Sequence, residues 1–161
     1  MTRLILIRHA KSDWSQGLDD HARPLNARGR EAAGRIGAWL AAEGHLPDRV
    51  LCSTATRAQE TSALVWEGAD HAPPQSDLHA LYHAAPATML EAAQKAEGAV
   101  VAMVAHNPGM AMLAGMLAAT RPDHPRFDDY PTGATTVLEF DGPPAAGQGR
   151  VVAFMVPRDL D

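Results

Sequence analysis

The chain has one cysteine, Cys52, among its 161 residues, so no disulfide can form within it. Following the apolar pair Val50-Leu51, that cysteine reads as an inert buried thiol. Positive charge is not in excess. The formal charge is −5, so the chain as a whole does not attract nucleic acid or an anionic membrane surface, and any anion it binds must be caught by a local cationic site. Long hydrophobic runs are also missing. The longest, Met110 to Ala119, falls well short of the roughly 20 residues that span a bilayer. The N-terminal run Leu4-Ile5-Leu6-Ile7 is too short for the apolar core of a secretory signal and is followed by no cleavage site. Neither an internal repeat nor an interdomain linker is visible. The expectation is one soluble, cytoplasmic domain over residues 1–161, with no nucleic-acid or membrane partner.

What the sequence does have is an alternation of short apolar runs and amphipathic stretches. Leu4 to Ile7, Val50 to Cys52 and Ala99 to Val104 read as buried strands, and Thr135 to Phe140 and Val151 to Val156 as two closing strands around a Gly/Pro-rich turn. Arg28 to Glu43, Arg57 to Trp66, Thr88 to Ala96 and Gly109 to Ala119 read as helices, the first stopped by Gly44 and the third introduced by Pro86. The stretch after Pro73-Pro74, with Leu78, Leu81 and Tyr82, reads as a loop. This order predicts a three-layer α/β/α sandwich around a mixed, largely parallel sheet.

In such sheets ligands sit at the carboxyl ends of the strands. The residues placed there are Arg8-His9, Ser53 to Arg57 and His106-Asn107. Two guanidinium groups offer planar forks of N–H donors that fit phosphate oxygens. Two imidazoles beside them resist protonation, because positive neighbours disfavour the charged form. A neutral imidazole is a nucleophile, and the flanking arginines can stabilise charge on a transferring phosphoryl group. No carboxylate cage suited to Mg²⁺ accompanies them, so the expectation is a site with no metal and no cofactor.

Leu6-Ile7-Arg8-His9-Ala10-Lys11-Ser12 resembles the Arg-His-Gly signature of the histidine phosphatase superfamily, with Ala10 in place of the usual glycine. Ser53-Thr54-Ala55-Thr56-Arg57-Ala58-Gln59-Glu60-Thr61 resembles its Ser-x-x-x-Arg-x-x-x-Thr motif. Val104-Ala105-His106-Asn107 resembles the strand that ends in His-Asn, and Leu25-Asn26-Ala27-Arg28-Gly29 the segment that opens the first long helix. The short chain and the wording Arg-His-Ala-Lys are similar to the small, SixA-type phosphohistidine phosphatases. The fold that goes with the resemblance is phosphoglycerate mutase-like. It implies that His9 is transiently phosphorylated, that Arg8 and Arg57 hold the phosphoryl oxygens, and that His106 donates a further hydrogen bond. Ser15 and Asn107 join as phosphate-binding candidates, with Ser53 shaping the pocket.

Larger relatives supply an acidic general acid after the second helix, where this chain places Ala80; Asp77 and His83 are the nearby alternatives. A general acid is worth about 10²–10⁴ in rate for a poor leaving group. Its lack favours phosphohistidine on a protein, whose imidazole departs readily, over a small phosphorylated metabolite. Only 48 residues lie between Arg57 and His106, which leaves little chain for a lid. Around the site, Lys11 and Asp13 are expected at the rim, Trp14 packed in the core, and Arg28 in an ion pair with Glu31. His79 and His83 lie four apart without a carboxylate motif and read as loop histidines.

Overall fold

The alternation of side chains along the first strand gives the sheet its two faces. In the computed structural model, which describes residues 1–161, β1 (Thr2–Arg8) sends Leu4 and Leu6 into one core and Ile5 and Ile7 into the other. These four side chains are at most 1% exposed, and each such burial contributes roughly 1.5–3 kcal/mol. The same division continues along β2 (Arg49–Ser53) and β4 (Val100–Ala105), where Leu51 and Met103 face one layer and Cys52 and Val104 the other.

Helices α1 (Ala27–Ala42) and α2 (Thr56–Gly68) cover the Ile5/Ile7 face with Ile36, Leu40 and Val65. Helices α3 (Pro86–Lys95) and α4 (Gly109–Leu117) cover the opposite face with Met89, Met110 and Leu113. Asn26 caps α1, its side-chain oxygen accepting the Gly29 N–H at 2.9 Å. No helix is long and apolar enough to cross a membrane.

With β3 (Gln75–Leu78), β5 (Thr135–Phe140) and β6 (Arg150–Met155) the sheet has six strands, in the order β3-β2-β4-β1-β5-β6. Strands β3, β2, β4 and β1 are mutually parallel, while β5 runs antiparallel to both β1 and β6. One element departs from expectation. Gln75–Leu78, read as loop, is the edge strand β3, pairing Cys52 with Asp77. It is four residues long, polar at three of them and covered on one side only, so it carries none of the apolar signal of a buried strand.

The strand order matters for the site. Strands β2, β4 and β1 are adjacent and parallel, so Ser53, Ala105-His106 and Arg8-His9 leave the sheet side by side at its carboxyl end.

Candidate active site

The turn out of β1 is fixed from three directions. The His9 N–H donates to the Ala105 carbonyl at 3.0 Å, tying the end of β1 to the end of β4. The Ala10 N–H donates to Thr61 Oγ1 at 3.0 Å, and that hydroxyl donates to the Arg57 carbonyl at 2.7 Å. From the other side, α1 presses against the loop: a Cβ at Gly29 would lie 2.1 Å from the Lys11 carbonyl oxygen. The spacing Ser-x-x-x-Arg-x-x-x-Thr thereby acquires a physical meaning. Ser53 meets His106, Arg57 turns one helical turn later into the cavity, and Thr61 one turn further holds the loop after His9.

His9 is 6% exposed and its Nδ1 lies 2.8 Å from the Ala10 carbonyl oxygen. A carbonyl can only accept, so Nδ1 carries the proton and Nε2 keeps its lone pair. That lone pair accepts a long hydrogen bond from Arg57 Nε–H at 3.4 Å. Burial, reinforced by Arg57, Arg8 and Arg23, pushes the His9 pKa down to about 3, so the ring is neutral at neutral pH. His106, 5.1 Å from His9 between ring centroids, is likewise lowered to about 3 by burial, with His9, Arg57 and His83 adding to it.

Ser53 Oγ sits 2.7 Å from His106 Nε2 and accepts the Ala55 N–H at 3.3 Å. A Ser53 hydroxyl that donates to Nε2 puts the His106 proton on Nδ1. Nδ1 is one of two buried side-chain nitrogens in the chain with no hydrogen-bond partner; the other is Arg8 Nε. Buried polar groups are almost always paired. Both exceptions fall on residues that line the same cavity of about 400 Å³, together with His9, Arg57, Ser12 and Thr132.

Arg8 and Asn107 are positioned by one carbonyl. Tyr130 O accepts from Arg8 NH1 and from Asn107 Nδ2, each at 3.0 Å. Tyr130 reaches this pose with φ of +48°, in the left-handed region that costs a non-glycine residue about 1–2 kcal/mol. Its hydroxyl, donating to the Leu6 carbonyl at 2.9 Å, anchors it in the core. The second Asn107 amide proton goes to the Asp129 carbonyl, and its Oδ1 accepts the Ala111 N–H in α4. With both donors committed, Asn107 orients the His106 turn and has no proton left for a phosphate oxygen. Ser15, expected as a donor, does not line the cavity; its hydroxyl and its N–H both bind Asp13 Oδ1 in a local turn.

Two charged residues of the cavity, Asp20 and Arg23, escaped the sequence reading. Asp20 Oδ2 accepts from Arg57 NH2 at 2.9 Å and from the Tyr82 hydroxyl at 2.5 Å, and His83 Nε2 lies 3.2 Å away. Although partial burial works against it, hydrogen bonds from Tyr82, Arg57 and Arg23 hold the Asp20 carboxyl far below the usual carboxylate range. It stays ionised, so it cannot serve as an acid. Arg23, 7% exposed, donates to Asp20 Oδ1 at 3.0 Å and to Ser12 Oγ at 2.7 Å. Both lie in residues 10–27, read as polar loop; the signal was an acid and a base three apart in a long connection directly after the first motif.

The remaining candidates separate cleanly. Asp77 accepts from Gln59 and Gln75 at the sheet edge and does not line the cavity, whereas His83 does. Trp14, expected in the core, is 75% exposed, its ring 3.4 Å from the Arg23 guanidinium carbon at the cavity mouth. Arg28 makes no ion pair with Glu31 or any other carboxylate. No three His, Cys, Asp or Glu side chains are grouped so as to hold a metal ion.

Residues 4–78 match the model of the histidine phosphatase superfamily, branch 1. The Mycobacterium tuberculosis protein Rv1276c is 38% identical to the chain, over 94% of this chain and all of its own length. The solved structure of the Agrobacterium tumefaciens SixA protein is 29% identical and superposes with a TM-score of 0.79, covering 97% of this chain and 98% of its own. A protein histidine phosphatase SixA complexed with tungstate, at 21% identity, reaches the same TM-score of 0.79 over 99% of this chain and all of its own. Together with the motifs at the three strand ends, these matches identify the chain as a member of the histidine phosphatase superfamily, a SixA-type hydrolase.

Proposed function

We propose that the protein removes the phosphoryl group from phosphohistidine on a partner protein, through a phosphate carried transiently on His9 Nε2. Phosphatase activity comes with the family; the residue roles and the substrate are the further reading. One observation carries it. His9 is buried and neutral, with its proton fixed on Nδ1 by Ala10, and it presents a lone pair beside Arg57 in a cavity ringed by cations.

Nε2 attacks phosphorus while the bond from phosphorus to the leaving imidazole nitrogen breaks. The leaving ring keeps that electron pair and departs neutral when its other nitrogen is protonated. The charge gained by His9 is stabilised by the Nδ1–H donated to the Ala10 carbonyl. Arg8, Arg57 and His106 Nδ1–H face the phosphoryl oxygens as their negative charge shifts. Water then attacks phosphorus, inorganic phosphate leaves, and His9 returns to its neutral form. The tungstate-bound relative, a protein histidine phosphatase, holds a tetrahedral oxyanion. Trp14, exposed at the mouth of the cavity, suits a side chain presented on another protein.

A second reading, a small phosphomonoester as substrate, is favoured by His83. It lines the cavity next to ionised Asp20 and is placed to give a proton to an alkoxide. Rapid mixing with phosphoramidate, followed by trapping in alkali, should leave acid-labile phosphate on His9 and none on a His9→Ala variant. Turnover on phosphohistidine protein and on sugar phosphates then separates the readings. Faster sugar phosphate hydrolysis that is lost in His83→Ala would replace the first by the second, and label on another residue would overturn both.

A further inference from the structure

Next to the catalytic cavity lies a second one of about 420 Å³, and the two share a wall formed by Lys11 and Thr132. Its lining brings five cationic side chains together, in a chain whose formal charge is −5. Two of them are already neutralised: Arg35 by Asp161 and Arg126 by Asp129. Lys11, Arg28 and Arg158 are exposed and make no side-chain hydrogen bond or ion pair, although Glu31 lines the same cavity.

The position of Arg28 sharpens the point. It lies in the first turn of α1, which contains no acidic residue. Backbone N–H groups there already present positive potential, and a cation placed on it is disfavoured by about 0.3–1 kcal/mol. The neighbouring Arg30 offsets this by pairing with Glu60 across the helix interface, and Arg28 has no such partner. Folding therefore gains nothing from the charge at this position, whereas an incoming anion in the cavity would meet Arg28 and Lys11 together.

We propose that this second cavity is a docking subsite for acidic side chains that flank the phosphorylated residue of a protein substrate. The inference rests on the protein-phosphohistidine reading above and narrows it to phosphoproteins with an acidic neighbourhood. Lys11 bridges the two cavities, so a chain whose phosphoryl group sits against His9 runs over Lys11 and Thr132 and places its carboxylates at Arg28 and Arg158. Flexible exposed cations without fixed partners suit capture of a loosely ordered acidic segment, and the attraction is screened by salt.

The test compares two phosphohistidine peptides of equal length, one with acidic and one with neutral flanks, on the wild type and on an Arg28→Glu/Arg158→Glu double variant. The wild type should favour the acidic peptide about tenfold in kcat/KM, mostly through KM. The preference should shrink in high salt and vanish or reverse in the double variant. Circular dichroism and phosphoramidate turnover report whether the variant is folded and chemically competent; if it is not, Arg28→Gln/Arg158→Gln serves in its place. Equal turnover of both peptides by the wild type overturns the subsite alone. Turnover of neither overturns the protein-phosphohistidine reading and the subsite with it. A variant-sensitive preference for a small bisphosphate over both peptides replaces the protein segment with a small polyanion.

Discussion

In the catalytic cavity, Arg23 and Arg57 are buried, and each is held by Asp20. In the cavity beside it, Arg28 and Arg158 are exposed and held by nothing. The contrast separates two uses of positive charge. A buried, wired guanidinium is expensive to place, but it meets a developing charge without reorganising, which is what lowers a barrier. An exposed, unwired one costs little and moves freely, which suits capture and steering but not transition-state stabilisation. The two histidines, surrounded by the same cations, are kept neutral by burial and belong to neither kind.

That contrast predicts a graded series of effects. The largest should follow removal of a wired cation. Arg57→Ala is expected to cost about 3 kcal/mol or more in transition-state stabilisation, above a hundredfold in kcat, because it also takes from Asp20 one of its two guanidinium partners. Steady-state kinetics on phosphoramidate showing less than a tenfold loss would erase the distinction.

Next comes acidity. His9 and His106 have pKa values near 3 in the fold and about 6.5 when unfolded. Below pH 6.5 the unfolded chain takes up protons that the folded chain refuses, so stability is lost as the pH falls towards 3. At pH 5 this amounts to about 2 kcal/mol for each histidine. Urea unfolding at pH 7 and pH 5 measures it, and ¹⁵N imidazole shifts should show both rings unprotonated in the fold at pH 5. Protonation of either ring near pH 6.5 would break the comparison at its centre.

A smaller effect is expected from Ser53→Ala, which removes the hydroxyl that fixes the His106 tautomer. About tenfold in kcat is the expected loss, equivalent to one hydrogen bond of about 1.4 kcal/mol. The smallest is Ser15→Ala. Its hydroxyl serves only the Asp13 turn, so activity should stay within about twofold, and a larger loss would bring Ser15 back as a phosphate contact.

The parts of this molecule that could be read from sequence are those that obey a period or end a strand. Leu4 to Ile7 and Ala99 to Val104 announce buried strands by composition, and His9 and His106, two residues beyond them, are placed by the sheet itself. β3 was missed because Gln75-Ser76-Asp77-Leu78 has neither β-branched residues nor an apolar face, and forms a strand only because β2 offers it an edge. Asp20 and Arg23 were missed for a related reason. They sit on a long connection between β1 and α1, brought to His9 by tertiary hydrogen bonds to Arg57 and Ser12 that the acid–base spacing alone does not specify. Ser15 and Trp14 were misplaced because adjacency in sequence says little about direction: a turn closed by Asp13 carries Ser15 off, and Arg23 draws the indole to the surface. Asn107 was rightly put beside His106, but its bonds to the backbone could not be foreseen without the left-handed Tyr130 that supplies their acceptor.

The contact between α1 and the loop after His9 is one atom thick. Only the hydrogen of Gly29 fits between the helix and the Lys11 carbonyl, so even a methyl group there would lift the segment that carries Ala10 and, with it, the oxygen that assigns the His9 tautomer. The tolerance of position 29 is therefore governed by a contact that sets the proton of a ring 20 residues earlier in the chain, and not by helical propensity. A substitution that would stabilise an isolated helix would act in this one as a misaligned spacer.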